Sequence, residues 1–293
     1  MGTVLTVTVI ADDESTARAL AAEAVAVARH WDDVLTTWRP DGELARLNAG
    51  AGGGAVEVSA DLATALRSMI ALSLATGGAF DPGVGPLVAR WRGSEPPHPP
   101  PSASAATRIA TALRLDDRRA ALVAGAALDA GGIGKGIALD AMAARLRRHG
   151  ARAAFLDFGG SSQLAIGTPG AEAAGWRVAL AGLAPGALLG ETMLRDAALS
   201  TSRASVGPDP AGPIIDPRSG APVLTPRIGT ARAADATSAE AWTKALIVAG
   251  RAALPEARAH GIKALLEDAG GIAADQNPAL CAPLCASVVV PPP

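Results

Sequence analysis

The sequence has no tyrosine, only 3% aromatic residues and only two cysteines among its 293 residues. So few aromatic rings argue against a surface that stacks the bases of a single-stranded nucleic acid. A net charge of −2 gives no general electrostatic attraction for nucleic acid or anionic membrane. No uninterrupted apolar run reaches the ~18 residues of a transmembrane helix. With 49% hydrophobic and 18% charged residues, the chain has enough apolar material for a substantial core.

The two ends of the sequence carry few signals of their own. Cys281 and Cys285 lie in a proline-rich segment without a nearby His or second Cys pair, which makes a poor zinc site. We expect two reduced thiols there. The start, Met1-Gly2-Thr3, leads directly into an alternating apolar pattern with no basic segment, which indicates no signal peptide and favours a cytoplasmic protein. Removal of an export or lipoprotein leader remains an alternative.

The apolar patterning predicts an α+β fold in one domain. Residues 3–10 alternate as a strand does, and Glu14 to about Trp38 has helical spacing. The predicted N-cap of the last helix is Ser238. Further helices are predicted at 61–75, 134–149 and 238–249, strands at 153–158, 162–167, 176–180, 187–190, 213–215 and 226–232, and a hairpin at 263–275. Because helices are separated by runs of strands, the pattern favours α+β over strict βαβ alternation. We expect a domain at 1–277, with a surface excursion at 92–104, and a proline-rich tail at 278–293.

The most informative segment is the glycine-rich stretch from Asp129 to Gly136, which opens a predicted helix. Such turns can present backbone N–H groups to phosphate, and Lys135 would add a positive charge beside the same oxygens. The Walker A motif requires glycine where Asp129 stands and Ser or Thr where Gly136 stands. The dinucleotide fingerprint requires a third glycine where Ile137 stands. Two interpretations stay open: an unusual phosphate-binding turn, or a tight turn that packs a helix on a sheet.

A series of short motifs runs in one order from the N-terminus to about residue 275. The motifs are Met1–Thr3, Trp38–Leu44 with Leu47-Asn48, Phe80–Val88, Asp129–Gly136, Leu156–Gly160, Ser200–Ser202, Ile214–Gly220 and Ala239–Leu246. In content and order they resemble the ApbE-type flavin transferases, the FAD:protein FMN transferase family. The resemblance implies a single α+β unit of mixed or antiparallel sheets with packed helices and an FAD cleft.

The resemblance also implies an activity and its residues. Such an enzyme binds FAD and, with Mg²⁺, cleaves its pyrophosphate, attaches FMN to a Thr or Ser of a target protein and releases AMP. By motif match, the residues expected to contact FAD are Met1, Trp38, Asp129, Gly131, Gly132, Lys135, Ser202 and Ile215. The metal-binding block falls on the Gly132 carbonyl, Glu240, Thr243 and Lys244. Catalytic roles are expected for Asp129, Lys135, Lys244 and Asp216.

The metal-binding block departs from the family pattern, which usually has Asp and then Thr four residues later. Here those positions are Glu240 and Lys244, and an ammonium has no lone pair for a metal. Three interpretations are open. The two residues form an exposed Glu–Lys pair on a helix; or Lys244 neutralises the pyrophosphate in place of the metal; or Mg²⁺ is held by Glu240, Thr243, the Gly132 carbonyl and FAD oxygens.

Two further departures concern proton transfer and phosphate binding. Pro213 stands where many family members have His, so a base for the acceptor hydroxyl would be a carboxylate such as Asp216, or none. Arg203 stands where the family often has Gly; it would either grip phosphate or belong to a surface loop. The four histidines fall in no motif and are expected to be structural: His30, His98, His149 and His260.

Three functions therefore remain as hypotheses. The first is an active FMN transferase whose partners are FAD and a flavin-acceptor protein. The second is an FAD-binding or FAD-hydrolysing relative with weak or no transfer, suggested by Lys244 and Pro213. The third is a non-catalytic interaction protein on the same fold. An acyl hydrolase is disfavoured because no Gly-x-Ser-x-Gly elbow is present and no His neighbours a candidate Ser.

Overall fold

The core of the protein is an antiparallel sheet covered on one face by long helices. A computed structural model describes residues 2–92, 108–204 and 214–274. The strands are β1 (Leu5–Ile10), β2 (Val56–Glu57), β3 (Leu113–Asp116), β4 (Arg119–Leu122), β5 (Ala153–Phe158), β6 (Ser162–Ile166), β7 (Trp176–Ala181), β8 (Leu188–Leu194), β9 (Ala197–Ala204), β10 (Arg227–Ala233), β11 (Lys263–Asp268) and β12 (Gly271–Ala274). The helices are α1 (Glu14–Leu35), α2 (Glu43–Ala49), α3 (Ala60–Ala75), α4 (Gly85–Arg92), α5 (Ile109–Ala112), α6 (Gly134–Arg148), α7 (Ala236–Ala249) and α8 (Ala253–Ala259).

The main sheet has seven strands in the order β1-β5-β6-β9-β10-β11-β12. Every neighbouring pair in it is antiparallel. Two smaller sheets accompany it, β2-β4-β3 and the hairpin β7-β8. This arrangement, with helices grouped on one face rather than between parallel strands, confirms the predicted α+β class.

Apolar helix faces bury the inner side of the main sheet. Helix α1 is capped by Asp13, whose carboxylate accepts the Thr16 N–H at 2.9 Å, and it buries Leu20, Trp31 and Val34. It packs on α6, α6 packs on α7, and α7 packs on β9 and β10. The hairpin β7-β8 covers the opposite face through a second apolar cluster. This layering brings the N-termini of α6 and α7 together above the middle of the sheet.

Most predicted elements are confirmed, with shifted ends. Helix α1 ends at Leu35 rather than Trp38, because Thr36 is extended. Helix α7 begins at Ala236 and its cap is Asp235, so the predicted Ser238 cap is wrong: the Ser238 N–H donates to Asp235 at 2.7 Å. The predicted strand at 213–215 is also wrong for its described part, where Ile215 forms one isolated bridge. Strand β9, helix α2 and the small three-stranded sheet were not predicted.

Several expectations fall outside the described ranges. Most of the predicted excursion at 92–104 and the whole predicted tail at 278–293, with both cysteines, lie there. Among the described residues, no helix is both long enough and apolar enough to cross a membrane.

Candidate functional site

Two adjoining cavities gather most of the predicted site residues. The first, of about 290 Å³, is lined by Asp129, Gly131, Gly132, Lys135, Ser202, Ile215 and Lys244, among others. The second, of about 260 Å³, is lined by Gly2, Thr3, Trp38 and α6 residues. Both are bordered by Asp129, Gly131 and Lys135. We refer to the two together as the cleft, with the glycine turn at 129–136 between its two lobes.

Hydrogen bonds to two other segments hold the chain where it enters the glycine turn. Asn48 pairs with Leu128 twice, donating to its carbonyl and accepting its N–H, each at 2.8 Å. The Asp129 N–H donates to the Pro82 carbonyl at 2.8 Å. These bonds fix the chain immediately before the turn, so the turn enters the cleft at a defined position.

The Asp129 carboxylate folds back over the turn. Its Oδ1 accepts the Gly131 N–H at 2.8 Å, and Thr37 Oγ1 donates to its Oδ2 at 3.4 Å. A Cβ at position 131 would lie 2.7 Å from that Oδ1, closer than van der Waals contact allows. Glycine at 131 therefore lets the carboxylate lie against the backbone of the turn.

Asp140, a half-buried acid on α6, anchors the start of α7. Asp140 accepts the N–H groups of Ala236 at 2.7 Å and Thr237 at 2.9 Å. Burial raises the pKa of Asp140, although these bonds oppose the rise. A Cβ at Gly136 would lie 2.5 Å from the Ala236 carbonyl oxygen, so only glycine permits this close approach.

Glu240 lies at the floor of the cleft, fully buried with 0% exposure. Its Oε1 accepts Ser162 Oγ at 2.6 Å and lies 3.3 Å from Lys135 Nζ, and its Oε2 accepts the Gly136 N–H at 3.0 Å. Burial opposes its ionisation, but the two cleft lysines, Lys244 and Lys135, together with these hydrogen bonds hold its pKa below the usual range. The interpretation of Glu240 and Lys244 as an exposed surface pair is therefore wrong.

Two of the chain's three lysines meet above this one carboxylate. Lys135 donates to Ser161 Oγ at 2.7 Å and is 24% exposed. Lys244 is half-buried and lines the first lobe. Its side chain lies against Gly132: a Cβ added to that glycine would be 3.7 Å from both Cγ and Cε of Lys244. Burial lowers the pKa of Lys244 to about 8; Glu240 partly offsets this effect, and Lys135 adds to it.

The donor groups here do not fit a magnesium ion. Both Glu240 oxygens are engaged by protein donors, and the side chain does not reach the cleft surface. Thr243 is also fully buried: its hydroxyl donates to the Glu240 carbonyl at 2.8 Å and pairs with Ser202 Oγ at 2.8 Å. The fourth residue after Glu240 is an ammonium, which cannot ligate a cation. No cluster of three or more His, Cys, Asp or Glu suited to a metal occurs in the described residues.

Three other predicted residues border the cleft in different ways. Trp38 is 72% exposed at the second lobe, and its backbone N–H donates to Thr36 Oγ1 at 3.2 Å. Ile215 is buried, and its strand bridge to Pro222 fixes its backbone at the first lobe. Ser202 reaches the cleft from β9. The contacts that these residues would make with FAD stay predictions.

Arg203 also lines the first lobe, but its guanidinium has backbone partners. It donates to the Leu183 carbonyl and, at 2.6 Å, to the Gly182 carbonyl. Glu267 accepts the Leu183 N–H at 2.6 Å. Arg203 and Glu267 together tie the turn of the β7-β8 hairpin to the edge of the cleft.

Asp216 is turned toward Arg218 instead of lining either lobe. The Arg218 guanidinium donates to both carboxylate oxygens at 2.9 Å. Although burial opposes ionisation, Arg218 holds the pKa of Asp216 below its ordinary value. A carboxylate with a lowered pKa is a weak base, so these contacts do not favour the predicted catalytic role. Met1 and Pro213 lie outside the described residues.

The three described histidines lie away from both lobes. His30 pairs with Asp61 at 2.7 Å, His149 pairs with Glu23 at 2.7 Å, and His260 packs on the Trp242 ring. These contacts agree with the structural roles expected from the sequence. His98 lies outside the described ranges.

Some residues of the site had no individual role in the sequence analysis. Phe80 and Asp81 line the first lobe, and Asp81 accepts the N–H groups of Gly83 at 2.7 Å and Ile109 at 3.0 Å. Ser161 and Ser162 hold the lysine and glutamate of the floor. Phe80, Asp81 and Asn48 belong to motifs quoted in the sequence analysis. The motifs therefore indicated that these residues belong to the site but did not predict their contacts.

Comparison with known proteins gives the same family in sequence and in structure. A sequence profile described as the ApbE family matches residues 1–266. The chain is 32% identical over 257 residues to a protein of Rhodobacter capsulatus named FAD:protein FMN transferase. That alignment covers 78% of this chain and 46% of the relative, so the chain spans about half the length of the curated relative it matches.

Solved structures share the fold. The flavin transferase ApbE from Vibrio cholerae superposes with a TM-score of 0.82 at 22% identity, covering 96% of each chain. The ApbE protein from Thermotoga maritima gives 0.82 at 23% identity over 94% of each chain. The apo flavinyl transferase ApbE from Pseudomonas stutzeri gives 0.78 at 23% identity over 97% of this chain and 94% of that one. The profile match, which extends through nearly all the described residues, shows that this chain belongs to the ApbE family.

Proposed function

We propose that this chain is an FAD:protein FMN transferase. One observation carries the proposal: a single cleft brings the glycine turn, with its Asp129 and Lys135, together with Lys244, which is more than 100 residues further along the chain. The arrangement offers two ammonium groups to an anion bound beside the glycine turn. FAD carries such an anion, because a diphosphate joins its flavin half to its adenosine half. The relative named FAD:protein FMN transferase supports the same conclusion.

The proposed reaction transfers one phosphoryl group of FAD. The hydroxyl oxygen of a Thr or Ser on the acceptor protein attacks the phosphorus of the FMN half. A new phosphorus–oxygen bond forms as the bond from that phosphorus to the bridging oxygen breaks. The hydroxyl proton is released, and AMP leaves with the bridging oxygen. Because negative charge develops on the leaving phosphate, fixed positive charge and N–H donors beside it lower the barrier.

The chain's own residues have distinct parts in this proposal. The glycine turn and Lys135 hold the diphosphate, and Asp129 keeps the turn in shape through its bond to Gly131. Trp38 offers an exposed ring at the second lobe. Ser202 and the backbone of Ile215 border the first. Which lobe takes the flavin is left to a structure with FAD.

The family resemblance implied a magnesium ion and left open a general base, and the site residues favour neither. Mg²⁺, which the family resemblance implied, is given no residue role because the donor set does not accommodate it. A base role for Asp216 stays a prediction, which its ion pair with Arg218 disfavours. The cytoplasmic location and the domain limits 1–277 also stay predictions.

The test is to incubate the purified chain with FAD and a desalted cell extract as the source of acceptor proteins. AMP release, with flavin fluorescence on protein bands after denaturing electrophoresis, is the expected result. AMP with only free FMN would indicate the hydrolysing alternative. The absence of both AMP and protein-bound flavin would contradict the proposal. Lys135→Ala should reduce AMP release by about 10-fold or more, since a charge-assisted contact is lost. Lys263→Ala, at the half-buried start of β11 and outside both lobes, is the matched control.

A further inference from the structure

Two ammonium groups lie close to one buried carboxylate under the cleft. Lys135 and Lys244 both interact with Glu240, while Asp81 and Asp129 line the first lobe with them. Lys135 also has a hydrogen bond to Ser161, but an alcohol carries no compensating charge. Ammonium groups held in partly buried positions are costly unless an anion balances them. Two ammonium groups that share the Glu240 carboxylate are therefore suited to an anionic ligand in the first lobe.

Lys244 is placed to meet that ligand directly. It lines the first lobe with Gly132 against its aliphatic arm, whereas Glu240, one turn earlier, and the adjacent Thr243 are fully buried. Phe80 approaches the same glycine: its ring would be 3.3 Å from a Cβ on Gly132. Lys244 thus lines the lobe beside the glycine turn, with its arm against Gly132.

The same contacts disfavour a divalent cation as the group that neutralises the anion. A divalent cation at this place would require free oxygen ligands, and the two side-chain candidates, Glu240 and Thr243, already have protein partners. A cation between Lys135 and Lys244 would also be repelled by both. An ammonium and a bound metal are thus alternatives at this floor.

We propose that Lys244, together with Lys135, supplies the positive charge opposite the FAD diphosphate, so that this chain binds and cleaves FAD without a divalent cation. The inference rests on the proposed function, which makes FAD the ligand. Lys244 is then a catalytic residue that faces the leaving phosphate. The products and the bonds broken are those given above, and no additional reactant is required.

The first experiment uses the unaltered chain. FAD binding is titrated by calorimetry in EDTA and again in MgCl₂, and AMP release is followed in both buffers. The inference predicts dissociation constants within about 2-fold of each other and AMP release in EDTA. Binding and cleavage only with MgCl₂ would overturn the inference but leave the proposed function intact. Absence of FAD binding in both buffers would remove the proposed function itself.

The second experiment isolates the ammonium. Lys244→Met keeps the apolar arm and removes the charge, and Lys263→Met is the matched control on β11. Riboflavin, which has no phosphate, serves as the second ligand. The inference predicts that Lys244→Met weakens FAD binding in EDTA by about 10- to 100-fold while riboflavin binding is unchanged. Equal losses for both ligands, or no loss for FAD, would overturn it.

A conservative variant separates charge from fold. Lys244→Arg keeps a cation and should retain FAD binding within about 10-fold in EDTA, because a guanidinium also binds phosphate. If Lys244→Met proved unfolded in a thermal melt, the EDTA comparison on the unaltered chain and the Lys244→Arg titration would still decide the matter. Loss of FAD binding in a folded Lys244→Arg variant would count against a role of charge alone.

Discussion

At the scale of single residues, the site depends on how closely side chains and backbone approach one another. The motifs predicted that Asp129, Lys135 and Lys244 matter, and the structure brings them to one cleft. The sequence did not predict that Glu240 is sealed under Ser162 and Gly136, because its burial comes from β6 and α6, which are distant in the chain. The sequence therefore predicted which residues belong to the site, but not that Glu240 is buried and interacts with both lysines.

Gly131→Ala should weaken FAD binding with little loss of stability. The added Cβ, 2.7 Å from Asp129 Oδ1, would push a flexible carboxylate off the Gly131 N–H instead of displacing backbone. We expect about 10-fold weaker binding by calorimetry, with unfolding free energy changed by about 1 kcal/mol, the value of one hydrogen bond. Gly170→Ala, where a Cβ meets nothing within 4 Å, is the control. Unchanged FAD affinity in Gly131→Ala would show that the shape of the turn is unimportant.

FAD affinity should fall as the pH rises through the pKa of Lys244. That pKa is lowered to about 8, so the side chain is charged below this pH and neutral above it. The groups that face it are Glu240 on its own helix and Lys135 on α6. Bound diphosphate stabilises the charged form and extends binding to a higher pH. Dissociation constants measured from about pH 6.5 to about pH 9.5 should rise in the unaltered chain and stay level in Lys244→Arg, because arginine remains charged. If the dissociation constants of the two proteins changed with pH in the same way, the Lys244 ammonium would not be the group that binds the diphosphate.

At the scale of secondary structure, most elements were predictable from the apolar pattern. Helix α6 and strands β5 and β6 were found nearly to the residue. Strand β9 was missed because it has no apolar alternation: its run Ala197–Ser200 is buried throughout, and polar residues follow at Thr201–Arg203. The cap of α7 was misplaced by three residues because Ser238 and Asp235 are both good N-cap residues, and only the N–H geometry distinguishes them.

The cap of α7 can be tested by stability. Asp235→Ala should lower the free energy of unfolding by about 1 kcal/mol, since it removes the acceptor of the Ser238 N–H. Asp235→Asn should lose less, because Asn also caps and no longer repels Asp140. Ser238→Ala should be nearly neutral in the same urea titrations. A larger loss from Ser238→Ala than from Asp235→Ala would restore the cap predicted from sequence.

The contact between α6 and α7 can be tested with two neighbouring glycines. At Gly136 a Cβ would lie 2.5 Å from the Ala236 carbonyl oxygen, and the backbone would have to move. Gly136→Ala should therefore cost about 1–3 kcal/mol of unfolding free energy, as overpacking does. At Gly134 the nearest atom is 3.6 Å away, and Ala favours a helix, so Gly134→Ala should be neutral or stabilising. Similar losses for both variants in denaturant titrations would contradict the close approach.

At the scale of the whole molecule, the fold turns a chain with little net charge into a cleft with a cationic floor. The net charge of −2 excluded general attraction for polyanions, yet two of three lysines lie at one point above the sheet. The order of short motifs was enough to predict the α+β class and the family, because the family motifs line the cleft. It was not enough to predict whether the site needs a metal, which depends on the partners of Glu240 and Thr243.

The most direct test of the account is a crystal structure of the chain with FAD in a buffer that contains EDTA. We predict that the diphosphate lies at the glycine turn, within hydrogen-bond distance of Lys135 Nζ and Lys244 Nζ, with the flavin and adenosine halves in the two lobes. FAD density with the diphosphate away from both ammonium groups, or an empty cleft at saturating FAD, would contradict it.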